Sequence, residues 1–196
     1  MDALNFERNR QKMFQVSLLS LMSDDGVTGD QWIEYFKKKN IYVSGFARSM
    51  LESHTFYPTT GINTLNVAIL KGEIFKPGFS FVSNVFDQAI RRMFLVPSAD
   101  LACYLLKNFS SGDMKSIGVE KVLIMSRTIE DHEGDSCYFR IIWNDDGPRL
   151  EAHKHDEGVE FDPSYSFAFY DLEESIRKKL LYGNCQPSDF NLEFVG

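Results

Sequence analysis

Residues 137–155 read CYFRIIWNDDGPRLEAHKH, and two runs of β-favouring, alternating side chains flank a central break. Between Cys137–Trp143 and Arg149–His155 lies Asn144-Asp145-Asp146-Gly147-Pro148, where an Asp-Gly step tolerates the positive φ that a tight hairpin turn needs. A hairpin is predicted here. Upstream, Val119–Ser126 has the same strand character and is joined to Cys137 through Asp131-His132-Glu133-Gly134-Asp135, a second turn sequence. Downstream, Ser166–Tyr170 supplies a fourth strand, and a helix is predicted over Leu172–Tyr182. The C-terminal half therefore reads as an antiparallel meander closed by a helix.

The N-terminal part reads as helical. Met13, Phe14, Val16, Leu18, Leu19, Leu21 and Met22 recur at helical spacing, predicting an amphipathic helix from Glu7 to Met22. Thr28 is a good N-cap for a second helix, with Asp30 in its first turn and the basic end Lys37-Lys38-Lys39 complementing the helix dipole. Ser44 caps a third helix to about Ser53, and Ile62–Leu70 reads as a strand. Three helices and a strand outline a winged-helix-like unit over residues 1–76, leaving helices and the meander over 77–196, the two parts packing as separate units or as one. In that second part, helices are predicted at Val82–Leu95, from Pro97-Ser98 to Phe109, and in a short turn capped by Ser111 or Asp113. The expected class is α+β, N-terminal helices followed by a C-terminal meander. The stretches starting at Thr28 and Ser98 align cap, acid, apolar pair and Lys, which a duplication would explain, although any two capped amphipathic helices share that pattern.

Charge divides the chain along the same line. Residues 128–174 carry fourteen Asp and Glu against three Lys and Arg, a net of −11, while the whole chain of 196 residues carries −7. Whole-surface charge governs partner choice and association rate. With 43% hydrophobic content and 17 Phe, the chain has enough apolar material for a sizeable core. Cys103, Cys137 and Cys185 are odd in number and lack CxxC spacing, which predicts reduced thiols in a cytoplasmic protein and argues against a structural zinc. The first residues show no basic segment leading an apolar stretch, and no run approaches the ~20 apolar residues of a membrane span, so no membrane association is expected.

Candidate chemistry is sparse. On an extended strand Glu151, His153 and His155 share one face, and two imidazoles with a carboxylate are a recognised set for a transition metal. Asp145 or Asp146 followed by Glu151-Ala152-His153-Lys154 approximates a nuclease core, but one extra residue sends Glu151 and Lys154 to opposite faces. Ser175 and Lys178 have Ser-x-x-Lys spacing without the accompanying motifs, and no Gly-rich phosphate loop is present. No cofactor is expected, and the sequence leans away from catalysis.

Two binding surfaces remain. If the third helix entered a DNA groove, Ser44, Arg48 and Ser49 would face bases while Lys37, Lys38 and Lys39 held phosphates, the footprint of a winged-helix regulator. Arg48 is the one strong base reader in that set. The other surface is acidic. Asp145, Asp146, Glu151, Asp156, Glu157, Glu160 and Asp162 would repel nucleic acid and attract a basic protein surface, with Trp143 and Tyr165 as aromatic anchors. The sequence thus favours a non-enzymatic binding or regulatory protein with a basic partner. The expected type is an inhibitor or adaptor of a nucleic-acid-handling protein, a role filled by small acidic proteins that viruses and mobile elements encode. The winged-helix regulator is the alternative, and a metal-dependent hydrolase or nuclease ranks below both.

Overall fold

The structure is a computed structural model and describes residues 16–61, 64–76, 78, 81–156 and 158–172. In chain order the elements are β1 (Val16–Met22), α1 (Gly29–Lys38), β2 (Tyr42–Val43), α2 (Gly45–Glu52), β3 (Thr64–Lys71), a 3₁₀ turn (Gly72–Ile74), α3 (Val82–Arg91), α4 (Leu101–Asn108), α5 (Ser111–Ser116), β4 (Lys121–Ile124), β5 (Ile129–Glu130), β6 (Ser136–Asn144), β7 (Gly147–Lys154) and β8 (Tyr165–Tyr170). All eight strands join one mixed sheet in the order β1-β3-β8-β4-β6-β7-β2, with β5 paired to β6 off that path. β8 runs parallel to β4, and β2 runs parallel to β7; the other pairs are antiparallel.

This overturns the expected order of N-terminal helices followed by a meander. The segment predicted as the end of a first helix, Val16–Met22, is the edge strand β1, paired with β3 from Val16 opposite Leu70 to Met22 opposite Thr64. Residues 7–15 of that predicted helix lie outside the described residues, and the described residues 16–76 hold two α-helices between strands in place of the three helices and a strand expected of a winged-helix unit. The physical reason lies in the run VSLLSLM, which satisfies either period: as a strand it sends Leu19 and Leu21 to one face and Val16 and Leu18 to the other, and both faces are covered. The hairpin β6–β7 forms around the predicted turn, with Asn144 opposite Gly147, and β4 pairs with β6. The fourth strand does not extend that meander but returns to pair parallel with β4 and antiparallel with β3. Residues on both sides of the 76/77 boundary thus share one sheet. The helix predicted at Leu172–Tyr182 lies, beyond Leu172, outside the described residues, as do Ser175, Lys178 and Cys185.

Helix ends follow local chemistry. Thr28 and Gln31 form a reciprocal capping box on α1, Ser44 caps α2 by accepting from the Ala47 N–H, and Ser110 with Asp113 forms a capping box on α5. α1 and α2 approach so closely that a Cβ on Gly29 would lie 1.8 Å from the Leu51 carbonyl oxygen, so only glycine fits there. The proposed duplication fails at its cap: α4 is preceded by Asp100 at the N-cap, and the Ser98 hydroxyl is used elsewhere.

Alternation along the strands builds two cores. Val67, Ile69, Val122, Ile124, Phe139, Ile141 and Ala168 face α1, α2, α4 and α5, meeting Trp32, Phe36, Met50 and the wholly buried run Leu101–Leu105. Ala68, Leu70, Leu123, Phe167 and Phe169 face the other way, against Val82, Val85 and Ala89 of α3 and against Phe94 and Phe161. Burial on both faces explains why β3 and β8 read as near-continuous apolar runs.

One buried polar chain crosses between layers. The Asp100 carboxylate, fully buried, accepts from the Thr59 N–H at 2.6 Å and the Thr59 hydroxyl at 2.9 Å. Thr59 Oγ1 and Ser98 Oγ share a hydrogen bond of 2.8 Å, and Ser98 Oγ meets the Tyr170 hydroxyl at 2.5 Å. Asp100→Ala would strand the Thr59 donors in a buried site. The expected cost is about 1–3 kcal/mol, read as a lower denaturant midpoint with an unchanged m-value.

Candidate functional site

β7 ends at Lys154, opposite Cys137, and β8 begins at Tyr165, which pairs with Lys121, itself opposite Ile142. Residues 155–156 and 158–164 therefore return along the length of β6 before β8 starts. They form a strap over the sheet face that carries Tyr138, Arg140, Glu151 and His153. Phe161 holds it down: its side chain is 5% exposed and packs on Phe167, Tyr165 and His153, with ring centroids 5.1–5.7 Å apart. The Glu160 carboxylate also accepts from the Gly78 N–H, which ties the strap to the loop before α3. Asp156 and Asp162 fold back on their own loop, accepting from the N–H groups of Gly158 and Ser164. The hydroxyl and N–H of Ser164 hold the Asp162 carboxyl below its ordinary range. Asp156, Val159, Glu160 and Asp162 all remain exposed, and Val159 is a large apolar side chain at 46%. Glu157 lies outside the described residues.

Under the strap, the cross-strand pair Arg140 and Glu151 forms an ion pair, and a second guanidinium nitrogen donates to the Tyr165 hydroxyl at 2.7 Å. Burial disfavours the Arg140 charge, but the Glu151 carboxylate and Tyr165 hydroxyl outweigh it and raise its pKa. His153 is stacked among Phe161 and Tyr165, and burial, with the Arg140 charge behind it, pushes its pKa down. The Glu151, His153 and His155 set is thus distributed among other partners: Glu151 on Arg140, His153 in the aromatic stack and His155 against the Tyr138 ring. Among the described residues no three His, Cys, Asp or Glu side chains are grouped to hold a metal ion. Lys154 pairs with Asp135, on the side of the hairpin opposite to Glu151.

The hairpin tip has its own cations. Asp145 pairs with Lys115 of α5 at 2.5 Å, which lowers the carboxyl pKa, and Asp146 pairs with Arg149 at 3.2 Å. Trp143 is 1% exposed and belongs to the core under α4 and α5; its ring is not presented to solvent. Tyr165 is half-buried beneath the strap, with Lys121 Nζ 5.6 Å from its ring centroid.

The residues expected on nucleic acid lie on two helices, α1 and α2, and their caps. Lys37, Lys38 and Lys39 are exposed at the end of α1, where Lys38 pairs with Glu34. Ser44 is spent on capping α2, Arg48 pairs with Glu52, and the Ser49 hydroxyl donates to the Phe46 carbonyl. Sequence reasoning passed over the side chains around β2. Tyr42 is 56% exposed under the Arg149 guanidinium, and Phe46 is 45% exposed against the His132 ring. Their signal in the sequence is weak, because only the short parallel pairing of β2 with β7 brings residues 42–49 beside 132 and 149.

The His153 shift fixes a sign. A depressed folded pKa means that the unfolded chain binds more protons, so stability rises with pH and is lost as pH falls through the ordinary histidine range. Wild-type protein should melt lower at about pH 5.5 than at about pH 7.5, and His153→Phe should remove part of that difference. Equal pH dependence in both proteins would exclude His153 as a cause. No protein-family model matches the chain, and comparison with curated proteins and with solved structures gives no significant match.

Proposed function

We propose that the chain acts by protein contact, docking its acidic strap and the neighbouring β6–β7 turn on a basic surface of a partner protein. The observation that carries this reading is the anchoring of the strap by Phe161, which displays Asp156, Val159, Glu160 and Asp162 from a fixed platform. A preorganised loop loses little further conformational entropy on binding. Exposed carboxylates around one exposed aliphatic side chain suit a partner surface with Lys and Arg surrounding an apolar pocket, and like charge would repel a nucleic-acid backbone. A partner that normally holds phosphates offers such a surface. The chain is then an inhibitor or adaptor of a nucleic-acid-handling protein, covering the site that phosphates would occupy. Asp145 and Asp146 lie at the end of the sheet where the strap finishes, each paired with a cation of the chain, so the partner contact centres on the strap.

Co-purification from native cells followed by mass spectrometry identifies the partner. The triple variant Asp156→Lys, Glu160→Lys, Asp162→Lys should lose that partner while melting within a few degrees of wild type. Phe161→Ala, which frees the strap, should weaken binding about tenfold or more. Undiminished capture by the triple variant would remove the acidic strap from the mechanism. Titration at low salt should show no binding to single-stranded or duplex nucleic acid; binding that falls steeply with added salt would overturn the reading.

A further inference from the structure

Beyond the strap, a cleft of about 410 Å³ opens between the end of α5 and the paired ends of β3 and β8. Lys71 and Ser166 are direct antiparallel partners, so their side chains leave the same face of the sheet, and both line the cleft. The Lys71 ammonium donates to the Ile117 carbonyl at 2.6 Å, and among the described residues it forms no ion pair. A half-buried ammonium held by one neutral acceptor keeps two donors and its charge to offer. Ser166 is 3% exposed, and its hydroxyl has no hydrogen-bond partner among the described residues. Gly118 leaves the ammonium room: its φ is +69°, and a Cβ there would lie 3.0 Å from Lys71 Nζ. At the rim stand the exposed carboxylates of Glu73 and Glu120.

Lys115 also lines the cleft, but its ammonium is paired with Asp145 outside the lining, which leaves Lys71 and Ser166 facing the Glu73 and Glu120 carboxylates. This set matches a ligand of both charges, and the volume falls in the range of small-molecule sites. We propose that this cleft binds a small zwitterion, its phosphate or carboxylate received by Lys71 and Ser166 and its amine facing Glu73 and Glu120. The cleft shares Pro163 and Ser164 with the end of the strap, but no strap carboxylate from Asp156 to Asp162 lines it.

The test is a titration followed by amide NMR. The probes are O-phosphoethanolamine and β-alanine, with inorganic phosphate and ethylammonium as single-charge controls. Saturable shifts are expected at Gly118, Glu120, Ser164 and Ser166 with at least one zwitterion, about tenfold tighter than with either control. The tighter of the two zwitterions tells a phosphate ligand from a carboxylate one. Lys71→Gln should weaken binding about tenfold, and Glu73→Gln should narrow the preference for the zwitterion over phosphate. If Lys71→Gln does not fold, Ser166→Ala takes its place, with a smaller loss expected. Inorganic phosphate binding as tightly as the zwitterions would overturn the proposal. So would the absence of any saturable shift, or undiminished binding by the variant. The Asp156→Lys, Glu160→Lys protein, which leaves the Asp162–Ser164 contact at the cleft in place, should retain zwitterion binding, which separates failure here from failure of the partner reading.

Discussion

The pairing of β3 with β8 holds this structure together. On one side of it lie β1 and β3, from the first part of the chain; on the other lie β4 to β7, from the second, with the short β2 of the first part at the far edge. The joint runs from Val67 opposite Tyr170 to Lys71 opposite Ser166, and every side chain from Val67 to Leu70 and from Phe167 to Phe169 is fully buried. Such a strand pair has no solvent-facing side. Each face must therefore bring its own cover: α1, α2, α4 and α5 on one, α3 with Phe94 and Phe161 on the other. Once β8 is fixed between β3 and β4, the chain returns from the end of β7 across the same sheet face as α3, where Phe161 joins the α3 cluster.

That route gives the strap its character. A chain crossing a sheet face needs an apolar hold, and Phe161 supplies it by entering a cluster of Phe167, Tyr165 and His153. Beneath it the Arg140 guanidinium is shared between Glu151 and the Tyr165 hydroxyl through its two terminal nitrogens, while its buried Nε has no hydrogen-bond partner among the described residues. The strap carboxylates are left on the outside. At the hairpin tip, by contrast, acidic charge is already matched by Lys115 and Arg149. The excess negative charge of residues 128–174 is therefore unequal in kind: part of it closes turns and ion pairs, and part of it faces solvent.

Turn and cap chemistry was legible in the sequence because it is local. Asn144-Asp145-Asp146-Gly147 closes the predicted hairpin, Thr28 and Ser44 cap the predicted helices, and the opposite faces of Glu151 and Lys154 follow from the strand period alone. The failures have one source. Val16–Met22 and Ser166–Tyr170 are short apolar runs whose partners lie about 50 and 45 residues away in the chain. For the first, two covered faces leave no period that separates strand from helix, and for the second the strand was legible but its neighbours in the sheet were not. The candidate site shows the same division. The acidic composition of the strap was visible, whereas its anchoring by Phe161, the burial of Trp143 and the pairing of Arg140 with Glu151 were not.

The sequence by itself determined where the chain turns, which helices begin at Thr28 and Ser44, that residues 137–155 form a hairpin, and that negative charge gathers in residues 128–174. Each is set by interactions within a few residues. Only the tertiary structure decided that β1 is a strand, that β8 lies between β3 and β4, that Trp143 is core, and that Lys71 and Ser166 meet at a cleft. Those outcomes depend on which distant segment supplies the second face or the free edge, because burial and backbone pairing are satisfied by partners in space and not by neighbours in sequence.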